Sequence, residues 1–156
     1  MIEIALFQPD IAPNTATILR MAACFGIKVR IIEPAGFVWS DSSFRRAGMD
    51  YLVHVEVQRH RNWQEYVEAA GSRRTVLITT KATLKYTGFT FREDDILLVG
   101  RESAGVPDYV HDYAQARLLI PMRPAMRSLN VALACAMVTG EALRQTRGFA
   151  LDAGIG

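Results

Sequence analysis

An α/β fold, a mostly parallel sheet with helices on both faces, is what this 156-residue sequence predicts. Three observations predict it. Short apolar, β-branched runs alternate strictly with amphipathic stretches, the order expected of strand–helix units stacked side by side. Glycine and proline punctuation falls at the same boundaries, with Gly26 and Gly71 closing helical runs and Pro107 opening one. The chain is 50% hydrophobic and long enough for one substantial core, with no composition shift, repeat or low-complexity tract to mark a second domain.

The elements follow in order. Residues 2–7 ("IEIALF") read as a strand, and 14–25 ("NTATILRMAACF") as a helix that Asn14 caps. Strand 28–33, helix 41–48 ("DSSFRRAG"), strand 52–57 ("LVHVEV") and helix 62–71 come next. Strands 75–80 and 95–100, helix 107–114, strand 116–121 and a long helix from Ser128 complete the domain, which spans residues 1–156 with a frayed tail from about 149.

Composition narrows the function. The formal charge of +2, with a sequence pI near 8.7, supplies no polybasic tail, so any nucleic-acid contact must come from local clusters. Basic residues do cluster with aromatics: Arg45 and Arg46 with Tyr51, Arg59 and Arg61 with Trp63, Lys81 and Lys85 with Tyr86. Cys24 and Cys135 sit in apolar helical patterns without CxxC or Cys/His spacing, which predicts buried thiols and no metal site. The opening "MIEIALFQPD" has no positive flank and an acidic interruption, so it reads as neither leader nor membrane span; a soluble cytoplasmic protein is expected.

Parallel sheets build sites in the loops at the carboxyl ends of their strands, here those after Phe7, Thr80, Gly100 and Ile120. The first loop leads into a helix on which Arg20 lies roughly 120° round from Asn14 and is flanked by apolar residues. The "GRESAGVP" loop (100–107) has glycines that permit close approach to a ligand, but it is neither GxGxxG nor a P-loop. The last loop supplies Met122, Arg123, Arg127, Ser128 and Asn130, with Ser128 as the expected helix cap. Residues 129–138 are apolar on nearly every side, which predicts burial on both faces and a second subunit as cover. Gly140, at a cost of about 1 kcal/mol relative to Ala, fits an interface where another backbone packs close.

Together, "PDIAPNTATILRMAACFG", "LLVGRESAGVP" and "IPMRPAMRSLNVALACAMVTGEALRQ" resemble the three ordered motifs of the SPOUT superfamily of RNA methyltransferases. Within it they are similar to the TrmH-like 2'-O-ribose enzymes, and "EPAGFVWSDSSFRRAGMDY" and "LITTKAT" resemble the TrmL (YibK) subgroup that methylates the wobble ribose of leucine tRNAs. The resemblance runs from about Ile2 to Arg147 and implies a C-terminal deep trefoil knot, a homodimer, S-adenosylmethionine as methyl donor, S-adenosylhomocysteine as product, and tRNA as substrate. No metal is implied.

Carried over by position, the resemblance implies Asn14, Arg20, Glu102 and Asn130 as catalytic residues. It implies a donor pocket of Ile78, Thr79, Gly100, Glu102, Ile120, Met122, Ser128 and Leu129. Arg45, Arg46, Lys81, Arg123 and Arg127 are the expected RNA contacts. Because a guanidinium stays protonated, Arg20 is expected to clamp the adjacent phosphate and stabilise developing oxyanion charge while that phosphate, Glu102 or water takes the proton. The chain departs from the family pattern at Arg101, where Pro is usual, at Val131, Ala132 and Leu133 after Asn130, and at Gly140, where Tyr is common. Those departures keep two other readings open: methylation at another tRNA or rRNA site, and a non-enzymatic RNA-binding member of the fold.

Overall fold

The computed structural model describes residues 1–40, 42, 44 and 50–149. Most of the expected 41–48 helix, including Arg45 and Arg46, lies outside the described residues, as does the tail from residue 150. The described elements are β1 (Glu3–Phe7), α1 (Ala12–Phe25), β2 (Val29–Ile32), β3 (Val57–His60), α2 (Trp63–Ala70), β4 (Thr75–Ile78), β5 (Leu84–Lys85), β6 (Ile96–Val99), α3 (Asp108–Tyr113), β7 (Ala116–Leu119) and α4 (Val131–Thr146).

The strands form one sheet in the order β3-β2-β1-β6-β4-β7-β5, and every registered pair is parallel. Both faces are covered, as the alternation of strand and helix predicts. Ile4 and Leu6 of β1, Val29 and Ile31 of β2 and Leu97 of β6 face α1 and α4, meeting Ile18, Leu19, Cys135 and Val138. Ala5, Phe7, Leu77 and Leu98 face the other way onto Tyr66 and Ala70 of α2 and Val110 of α3. Strands walled on both sides must be apolar at successive positions, which is why β1 and β6 are buried along their whole length.

Two expectations need correction. The strand expected at 52–57 is displaced: Asp50–His54 form a 3-10 helix, and Val57–His60 is the strand that pairs with β2. Register decided this over hydrophobicity, because Gln58 and His60 find Arg30 of β2 as a hydrogen-bond partner while Val53 stays 76% exposed. Cys24 is exposed; only Cys135 is a buried thiol, because Cys24 lies off the face of α1 on which Thr15, Ile18, Leu19 and Ala22 are buried. Around Gly140, no heavy atom beyond its chain neighbours and its own helix backbone lies within 4 Å of where a Cβ would stand among the described residues, so that point on α4 is open within the single chain.

At the amino end of β1, charge is buried deliberately. Glu3 accepts from Arg30 Nε at 2.6 Å and from Arg73 Nη1 at 2.5 Å, while Arg30 Nη1 also reaches Gln58 Oε1 at 3.1 Å and His60 Nε2 at 3.4 Å. A strand arginine as buried as Arg30 needs this many acceptors to offset the loss of water.

Candidate active site

At the opposite end of the sheet, the loops after β4, β6 and β7 surround a cavity of about 420 Å³. Leu77, Ile78, Val99, Ile120 and Val131 give it apolar walls, and Asn14, Glu102, Ser128 and Asn130 supply polar groups. Such a volume with a few convergent polar atoms is typical of small-molecule sites. Gly100 forms part of the wall because nothing larger fits: an added Cβ would stand 2.7 Å from the carbonyl carbon of Gly105 and 2.9 Å from Val106 Cγ1. The loop folds back tightly there, with Arg101 and Gly105 exchanging backbone hydrogen bonds of 3.0 and 2.9 Å.

The cavity gathers all eight residues expected to hold the donor: Ile78, Thr79, Gly100, Glu102, Ile120, Met122, Ser128 and Leu129. Asn14 and Asn130, 116 positions apart, meet in it through Asn130 Nδ2 donating to Asn14 Oδ1 at 2.9 Å. Their local roles differ from expectation. Asn14 does not cap α1, which starts at Ala12 with Ile11 at the cap position and Pro13 in the first turn, leaving the Asn14 side chain for Asn130. Ser128 does not cap α4 either. Asn130 does, its Oδ1 accepting from Ala132 N at 2.8 Å and Leu133 N at 3.3 Å, so one amide both starts the helix and ties it to α1.

Arg20 is exposed on α1 and is not among the residues lining the cavity. Lys81, Arg123 and Arg127 are exposed on the same carboxyl-end loops. Within the single chain the helix after Asn130 is buried on one side: Leu133 is 59% and Met137 43% exposed, on the face for which a second subunit is the expected cover.

The charged chemistry of the cavity centres on Glu102, and a partner that the sequence analysis passed over, Asp10, holds it. Asp10 N donates to Glu102 Oε2 at 3.1 Å, and Glu102 N donates to Asp10 Oδ1 at 3.2 Å. Ser103 Oγ donates to Asp10 Oδ2, and Arg101 Nε stands 3.8 Å from the same oxygen. Burial, then the hydrogen-bonded Asp10 carboxylate, pushes Glu102 above the usual carboxylate range; the bonds from Glu102 and Ser103 bring Asp10 down to about 2. Asp10 is ionised and Glu102 keeps its proton longer. The signal that could have found Asp10 is its place in the first loop past β1, immediately after Pro9. Among the described residues, no group of three His, Cys, Asp or Glu could hold a metal ion.

Residues 1–140 match the model of the SpoU rRNA methylase family. The chain belongs to that family. A SpoU-family relative from Beijerinckia indica subsp. indica, named tRNA (cytidine(34)-2'-O)-methyltransferase, is 60% identical over 153 residues, covering 94% of this chain and 93% of its own. A solved structure described as giving structural insights into the 2-OH methylation of C/U34 on tRNA superposes with a TM-score of 0.88 at 36% identity, covering 93% of this chain and 95% of its own. The SpoU methyltransferase AviRb from Streptomyces viridochromogenes, solved in complex with the cofactor AdoMet, superposes with a TM-score of 0.77 at 25% identity, covering 92% of this chain and 59% of its own.

Proposed function

We propose that this SpoU-family chain is an S-adenosylmethionine-dependent tRNA 2'-O-methyltransferase that acts on the ribose of nucleotide 34, a C or U, of leucine tRNAs in the cytoplasm. The observation that carries the reading is the cavity itself, where loops from three separated motifs converge and the Asn14–Asn130 bond joins the first to the third. The relative 60% identical over almost the whole chain supports nucleotide 34 as the acceptor. The residues fit the donor: apolar walls suit a flat adenine ring, while Asn14, Glu102 and Ser128 offer polar partners for its ribose and amino-acid parts. When bound, S-adenosylmethionine supplies a methyl group activated by a sulfonium.

The chain's own residues supply position and charge. Ile78, Ile120, Met122 and Leu129 exclude water from the cavity wall. Arg20 sits about 9 Å along the α1 axis from Asn14, outside the cavity, where it clamps an RNA phosphate and offsets negative charge growing on the ribose oxygen. Glu102 takes the ribose proton, since a half-buried carboxylate beside Asp10 is a stronger base than a fully exposed one. Lys81, Arg123 and Arg127, together with Arg45 and Arg46, would follow the RNA backbone.

The same proposal includes one domain over the chain, a C-terminal knot and a homodimer. The exposed Leu133 and Met137 on α4, a helix packed against α1, support a second copy as cover. The test is tritiated S-adenosylmethionine with total tRNA lacking the wobble methyl group, followed by nuclease digestion and mass spectrometry. One 2'-O-methyl group at nucleotide 34 of leucine tRNAs is expected. Label confined to another nucleotide or to rRNA would replace the substrate, and absence of both label and donor binding would overturn the reading.

A further inference from the structure

Asp10 connects three loops at the carboxyl end of the sheet. The loop after β2 rests on it: Gly36 N donates to Pro9 O at 2.8 Å, and an added Cβ on Gly36 would stand 2.6 Å from Asp10 Cβ and 2.9 Å from its Cα. Only a residue without a side chain lets that loop lie so close, and the contact fixes where the Asp10 backbone sits. From that fixed point Asp10 exchanges backbone-to-carboxylate hydrogen bonds with Glu102, 92 positions away, and accepts from Ser103. Its side chain is only 14% exposed, and it is not among the residues lining the cavity, so whatever it does for a ligand it does through Glu102.

We propose that Asp10 is a positioning residue of this site: it holds the Glu102 carboxyl against the cavity and controls its protonation through its own negative charge. The inference rests on the methyl-transfer reading for the task given to Glu102. The charged groups facing Glu102 are Asp10 from the loop after β1 and Arg101 from its own loop; Arg101 and Glu102 are the charged residues that line the cavity among those described. Arg101 Nε, buried and without a hydrogen bond, stands 3.8 Å from Asp10 Oδ2, while the Asp10 and Glu102 carboxyls each accept from the other residue's backbone N–H and so lie side by side. Two carboxyls this close cannot both ionise cheaply, which is the direction in which Glu102 is displaced.

The test pairs a rate profile with a direct titration. In the full-length protein with donor and tRNA, kcat of the native chain should fall on the acid side as Glu102 becomes protonated. Asp10→Asn removes the neighbouring charge, so that limb should move down by about one pH unit and the plateau should drop about tenfold as the base weakens. Donor affinity by calorimetry should stay within about threefold, and Asp10→Glu should bring the limb back towards its native position. A purely structural residue would lower the rate without moving the limb. An unmoved limb in Asp10→Asn, with Glu102→Gln impaired, would overturn the proposal.

The second readout is independent of methyl transfer. Carbon-13 NMR of labelled glutamate carboxyls, assigned with Glu102→Gln, should show Glu102 titrating above its fellows in the native chain and lower in Asp10→Asn. Native Glu102 titrating with the ordinary carboxylates would overturn the inference without recourse to any Asp10 variant. If no RNA is methylated but Glu102 titrates high and responds to Asp10, the control of Glu102 stands and only the task given to it by the proposed function fails.

Discussion

Two glutamates at opposite ends of the sheet, Glu3 buried and Glu102 half-buried, have opposite fates. Glu3, at the amino end, would be raised by burial alone, but Arg30 and Arg73 outweigh that and hold it below the usual carboxylate range. Glu102, packed beside the loop that leaves the carboxyl end, meets a second carboxyl and is raised. The same side chain is neutralised by cations where the sheet needs holding and kept short of them where a ligand cavity opens. Perturbed groups of the second kind mark functional sites more often than ion pairs do. Substitutions at the amino end should therefore cost stability and spare the rate, and substitutions at the carboxyl end the reverse.

The largest expected effect is at the amino end. Glu3→Ala strands Arg30, whose side chain is 6% exposed, and should destabilise the fold by about 3–5 kcal/mol in urea unfolding while the methylation rate of the remaining folded protein is unchanged. Next comes Arg20→Ala at the other end. An exposed residue outside the cavity should contribute little to stability, yet single-turnover methylation should fall about 100-fold, equivalent to about 2.7 kcal/mol, with donor affinity intact. A rate unchanged in that variant would remove Arg20 from the reaction and blur the contrast between the ends.

The contrast was only half legible in the sequence. Periodicity located β1, β2, β4, β6 and β7 within a few residues, because strands buried on both faces must be apolar throughout. It misplaced β3, whose "VQRH" looks like surface until Arg30 of the neighbouring strand is seen to accompany Gln58 and His60. The eight residues expected at the donor site could be picked out because their motifs keep a fixed order along the chain, and the structure brings all eight to the wall of one cavity. Asp10 was not, since its meaning depends on a contact across 92 positions, and neither was the division of labour between Ser128 and Asn130. Caps are read from local preference, which Ser and Asn share; which of them takes the helix depends on where α1 leaves an amide to bond with.

Asn130 breaks the simple division between the two ends, which makes it informative. Asn130→Ala removes the α4 cap and should cost about 1 kcal/mol. It also removes the tie to Asn14, so rate and stability should fall together. Asn130→Asp separates the two, because it keeps an acceptor for Ala132 N and Leu133 N but has no amide to donate to Asn14. Near-native stability with a lowered methylation rate is the expected result for Asp.

The smallest effect concerns His60, buried beside Arg30 at the amino end. Arg30 has only donors, so the imidazole nitrogen facing it must be the unprotonated one, and a second proton would place two cations side by side. Burial first, then Arg30 with a contribution from Lys28, lowers the affinity of His60 for a proton, against weaker opposition from Glu65 and Glu3. In the unfolded chain His60 regains its ordinary value of 6.5. Below that pH the unfolded state takes up a proton that the folded state refuses, so stability is complete above it and declines as acid is added. One proton limits the slope to about 1.4 kcal/mol per pH unit. Urea unfolding across that range should show the decline in the native chain and lose it in His60→Gln, which retains an acceptor for Arg30. A stability that rose on acidification would require a protonated His60 against Arg30, and the amino end would then be a titrating centre like the one around Glu102.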